Sequence, residues 1–99
     1  MFMLEEKYLT TIKKIISQKI NLDEFEVFIF GSQAMGKPNR TSDIDIGIKG
    51  EKPLDLSILG AIKEEFEESD LPQTVDVIDF SKTSDKFRQI AQQNAYYIN

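Results

Sequence analysis

The chain is expected to fold as a mixed α/β (α+β) unit, a small mixed β-sheet of about three strands covered by helices in the order α-β-β-α-β-α. Two stretches repeat apolar residues every three or four positions, the mark of helices with one buried face. Three short runs rich in β-branched and aromatic residues read as strands. With 99 residues, 40% of them hydrophobic, there is material for one core and not two, so a single domain over residues 1–99 is expected.

From Leu4 to Ile20 the residues Leu4, Tyr8, Ile12, Ile15 and Ile16 share a helical face, with Lys and Glu between them. A turn at Asn21 to Glu24 leads into Glu26 to Phe30, a buried strand that stops at Gly31. In the next strand, Asp43 to Lys49, the residues Asp43, Asp45 and Gly47 alternate with Ile44, Ile46 and Ile48. The isoleucines therefore line one face and both aspartates the other. Beyond the Gly50 to Pro53 turn, Ile58, Leu59, Ile62 and Phe66 mark a helix from Asp55 to Glu68 with an acidic outer face. Thr74 to Ile78 is the third strand, closed by Asp79 to Ser84, and a last helix carrying Phe87, Ile90 and Ala91 leads to Tyr96, Tyr97 and Ile98. The two tyrosines read either as a partner-facing patch or as part of a terminal helix docked on the core.

Composition excludes several classes of chemistry. Without cysteine or histidine there is no Ser-His-Asp or Cys-His nucleophile, no thiolate or imidazole zinc site and no disulfide. Proton transfer falls to carboxylates, lysines, tyrosines or a metal-bound water. Twelve basic against 17 acidic side chains give a net charge of −5, the wrong sign for wrapping long nucleic acids. No apolar run is long enough for a membrane span, and the acidic residues Glu5 and Glu6 near the amino terminus do not fit a signal peptide, so a cytoplasmic location is expected.

The chemistry concentrates at two places. Gly31 leaves the first strand without a Cβ, and Ser32 adds a hydroxyl where free backbone N–H groups would face a phosphate oxygen. Taken alone, the pair is also what a strand-to-helix turn with a serine cap looks like. Ten residues separate Ser32 from Asp43-Ile44-Asp45, and the two carboxylates share a strand face. At about 4 Å and an effective dielectric near 20 they repel by roughly 4 kcal/mol, so they call for a cation or a raised pKa. Hard oxygen ligands of this kind suit Mg²⁺ or Mn²⁺. A solvated acidic strand face is the simpler account of an isolated pair. Asp76 in the third strand supplies another carboxylate; Asp79, three positions on, reverses face and suits a turn or cap.

Phe30-Gly31-Ser32, the ten-residue gap, Ser42-Asp43-Ile44-Asp45-Ile46 and Val75-Asp76-Val77-Ile78-Asp79 together resemble the minimal nucleotidyltransferases of the polymerase-beta superfamily, over nearly the whole chain. The resemblance implies the nucleotidyltransferase fold and two-metal transfer of AMP from ATP. Asp43 and Asp45 would hold Mg²⁺ or Mn²⁺, Asp76 would complete the metal site on the nucleophile side, and Gly31 and Ser32 would hold the triphosphate. Many members of this size are antitoxins of HEPN-domain ribonuclease toxins, and some transfer AMP to a toxin tyrosine, which implies a hetero-oligomer with such a partner.

Two departures from the family pattern matter. Met35 stands where an arginine is usual, leaving Lys37 and Arg40 as candidates for that charge. Larger relatives also append a helical domain that 99 residues do not accommodate, so a partner would supply the missing wall. Alongside transfer to a protein hydroxyl, two other functions stay open: a weakly catalytic antitoxin or binding module that works by covering its partner, and an antibiotic-type enzyme acting on a small molecule.

Overall fold

The structure, a computed structural model, describes residues 5–30, 43–82, 89 and 95–98. Helix α1 spans Glu6–Ser17 and buries Ile12, Ile15 and Ile16, the face marked by the apolar spacing. It stops short of Ile20. Lys19 and Ile20 donate to the Ile16 carbonyl in a tightening turn, and Asn21 Oδ1 accepts from the Asp23 N–H at 2.9 Å. Ile20 stays buried, so the apolar period follows burial past the point where helical backbone ends.

Strand β1 (Glu26–Phe30) pairs antiparallel with β2 (Ile44–Lys49), which pairs parallel with β3 (Val75–Asp79). Parallel neighbours need a crossover, provided by helix α2 (Leu56–Glu68). The Asp55 carboxylate caps α2, accepting from the Ser57 N–H and hydroxyl. A 3₁₀ turn, Phe80–Lys82, follows β3.

The last described segment corrects the expectation for the tail. Tyr96–Tyr97 form strand β4, paired antiparallel to β1, giving a four-stranded sheet in the order β3-β2-β1-β4. A two-residue strand is held by distant backbone partners, which local periodicity cannot reveal. The helix expected around Phe87, Ile90 and Ala91 lies outside the described residues.

Each face of the sheet has its own core. On the helix side, Val27, Ile29, Ile44, Ile46, Ile48 and Val77 pack with Ile12, Ile16, Ile62 and Phe66. On the other side Phe28, Phe30 and Phe80 cluster, with Phe80 edge-on to Phe28 at 5.0 Å and to Phe30 at 5.1 Å. No helix among the described residues is long and apolar enough to cross a membrane.

Candidate active site

Strand alternation puts Asp45 on the sheet face opposite the helices, with exposed Asp43 immediately before β2. Register then builds a row across three strands, since Phe30 lies opposite Asp45 and Asp45 opposite Asp76. Neighbouring strands run about 4.8 Å apart, which makes Asp45 and Asp76 side-by-side carboxylates. Asp45 is half-buried and Asp76 exposed.

Electrostatics ties the three acids together. Burial, followed by the charges of Asp76 and then Asp43, raises the Asp45 carboxyl above its ordinary value. Among the described residues no ion pair involves these acids: the pairs present are Lys7–Glu5 and Lys19–Glu65. The folded chain thus holds mutually repelling carboxylates together, an arrangement favourable to a cation or a proton.

Gly47 explains how the aromatic cluster fits beside this row. A Cβ there would lie 2.5 Å from two Phe28 ring carbons and 2.8 Å from Phe80, so only glycine lets both rings cover β2. Sequence reading placed Gly47 on the aspartate face and missed this role, although a glycine inside a strand is itself a signal of close approach. Asp79 acts as a cap, as its turned face suggested. Its Oδ2 accepts from Leu54 N–H at 2.8 Å, and Oδ1 accepts from Ser81 N–H at 3.0 Å and from the Ser81 hydroxyl. It fastens the end of β3 to the segment entering α2.

Of the residues singled out by sequence, Asp45 and Asp76 lie in register on neighbouring strands and Asp43 acts on Asp45 through its charge; Gly31, Ser32, Lys37 and Arg40, with Met35, lie outside the described residues. Among the described residues no three carboxylates are gathered into a ready-made coordination shell. The donor set nonetheless fits a hard divalent cation, being all oxygen and carrying excess negative charge, part of it in a half-buried position.

Comparison with known proteins follows the same lines. The family described as "Polymerase beta, Nucleotidyltransferase" matches residues 10–98. The probable protein adenylyltransferase MntA of Haemophilus influenzae is 38% identical over 90 residues, 91% of this chain and 77% of that protein. Among solved structures, a toxin-antitoxin crystal structure with AMP-PNP aligns with a TM-score of 0.75 at 23% identity, covering 92% of this chain and 72% of the other. A tri-AMPylated Shewanella oneidensis HEPN toxin in complex with MNT antitoxin aligns at 0.73 and 18%, covering 97% and 72%. The two structural likenesses carry the fold, and the sequence matches carry the kinship: this chain belongs to the polymerase-beta family of nucleotidyltransferases.

Proposed function

We propose that the chain transfers AMP from ATP to a hydroxyl group of a partner protein, in the cytoplasm, as the antitoxin of a HEPN-type toxin. The observation that supports this reading is the carboxylate pair Asp45 and Asp76, in register on neighbouring strands with the charge of Asp43 acting on Asp45, within the family frame. A protein that only covered its partner would have no use for acids whose proximity costs folding free energy. The relative named as an adenylyltransferase and the neighbours crystallised with AMP-PNP or with an AMPylated toxin supply the donor and the class of acceptor.

In the proposed reaction the acceptor oxygen attacks the α-phosphorus of ATP. A new phosphorus–oxygen bond forms, the bond to the β-phosphate bridge breaks, and pyrophosphate leaves. Asp76, exposed at the end of the row, takes the acceptor proton. Asp43 and Asp45 would hold Mg²⁺ or Mn²⁺, with Asp76 completing the set; bound there, the metal neutralises phosphate charge and lowers the pKa of the acceptor hydroxyl. Gly31 and Ser32 would receive the triphosphate, with Lys37 and Arg40 supplying positive charge from the same segment.

The test compares ATP labelled at the α-phosphate with ATP labelled at the γ-phosphate, incubated with this chain and the protein encoded beside it. The neighbour should acquire the α label, while the γ label leaves ATP in pyrophosphate and never reaches the neighbour. Retention of the γ label would mean phosphoryl transfer and contradict the reading. An inhibited but unlabelled neighbour would favour a covering antitoxin. Label found on a small molecule alone would favour the antibiotic-type activity.

A further inference from the structure

The carboxylate row ends at an edge of the sheet. Strand β3 is the terminal strand in the order β3-β2-β1-β4, and no strand among the described residues pairs with its far side. The phase of that edge follows from one hydrogen bond. Ile44 N–H donates to the Thr74 carbonyl at 2.8 Å, so the backbone groups of Thr74 and Asp76 face β2 while those of Val75 and Val77 face outward. Asp76 thus sits between two outward-facing ladder positions with its side chain on the carboxylate face.

Two features beside this edge also await a partner. Phe66, Leu71, Pro72, Gln73 and Val75 line a cavity of about 340 Å³ at the entrance to β3. Within it Gln73 Oε1 is buried and accepts no hydrogen bond among the described residues. A buried acceptor left in this state costs free energy that an incoming donor would recover. Charge specifies the donor: residues 64–81 contain seven acidic side chains and no lysine or arginine.

We propose that the protein acceptor docks as an extended, basic segment added as a strand to the outer edge of β3, with a donor group reaching Gln73 Oε1. The Val75 and Val77 backbone groups make the ladder, and the added strand lies about 4.8 Å from β3. Alternate side chains of that segment then stand on the carboxylate face beside Asp76, where a hydroxyl-bearing residue meets the Asp45–Asp76 pair. Affinity comes from main-chain pairing and selectivity from Lys or Arg flanking the hydroxyl residue. The inference rests on the proposed AMP transfer for its purpose, while the docking itself can be read without turnover.

The test uses the intact chain with ATP and Mg²⁺ and a synthetic Lys/Arg-flanked peptide carrying one tyrosine among valines and threonines. Two further peptides carry N-methyl groups on alternate amides, one set in each ladder phase. Binding should slow hydrogen exchange at the Val75 and Val77 amides. One N-methyl phase should weaken it about tenfold, as expected for two lost ladder bonds, and the other should leave it unchanged. Gln73→Leu should weaken binding a few-fold while leaving the fold and nucleotide affinity intact. Protection at Val75 and Val77 without AMP transfer would support the docking and overturn the transfer reading. Transfer without that protection, or equal tolerance of both N-methyl phases, would overturn the docking and leave transfer standing; absence of both effects would overturn both.

Discussion

Replacing Asp45 with asparagine should make the metal-free chain more stable, although it removes a residue assigned to the reaction. Burial and two neighbouring carboxylates raise the Asp45 pKa, so ionising it costs the folded state more than the unfolded chain. At strand spacing, near 5 Å, the interaction with Asp76 falls between the water and low-dielectric limits. After solvent screening it is on the order of 1 kcal/mol. For a domain of this size that corresponds to a rise in Tm of about 4–8 °C. The pH dependence has a definite sign. The folded pKa lies above the ordinary value of 3.8, so the penalty is absent below that value, develops as pH rises through the raised pKa, and is complete above it. Thermal melts of wild type and Asp45→Asn should therefore diverge near neutral pH and converge in acid. Millimolar Mg²⁺ should narrow the gap by stabilising the wild type alone. An Asp45→Asn chain that melts at or below the wild type near neutral pH, or a gap that persists in acid, would refute the electrostatic reasoning.

Three further outcomes follow from the packing. Gly47→Ala forces a methyl group into the Phe28 and Phe80 rings; overpacking of this kind costs about 1–3 kcal/mol, measurable by urea melts. Asp79→Ala leaves the Leu54 and Ser81 donors without their acceptor, a loss of about 1–3 kcal/mol, with faster amide exchange expected at both positions. Asp55, held below its ordinary pKa by the Ser57 hydroxyl and N–H, contributes stability above that value and loses it as pH falls through the lowered pKa; Asp55→Ala should flatten this acid limb of the stability curve.

The carboxylate face of β2 was legible because strand period and side-chain chemistry are both local. The alternation of Asp43 and Asp45 with Ile44 and Ile46 set the carboxylate face before any pairing was known. Asp76 required a second strand in the correct register, and the family resemblance pointed to it where spacing alone did not. What escaped is what depends on contacts distant in sequence. Tyr96 and Tyr97 pair with Ile29 and Phe28 across the sheet, and nothing in their own neighbourhood distinguishes an edge strand from the end of a helix. The strand from Glu26 to Phe30 read as buried, but the second cluster, on the carboxylate side, depends on Phe80 arriving from beyond β3. The helix expected to reach Ile20 ends at Ser17 although Ile20 is buried, because a buried side chain does not require a helical backbone.

The central claim, AMP transfer by the Asp43, Asp45 and Asp76 cluster, is tested most directly by single-turnover labelling of the partner with α-labelled ATP and Mg²⁺. The comparison is between wild type and the Asp43→Asn, Asp45→Asn double variant, with folding of both checked by thermal melts. The wild type should label the partner, and chelation of the divalent cation should abolish the label. The folded double variant should bind the partner and leave it unlabelled. Labelling that persists in the double variant would contradict the claim.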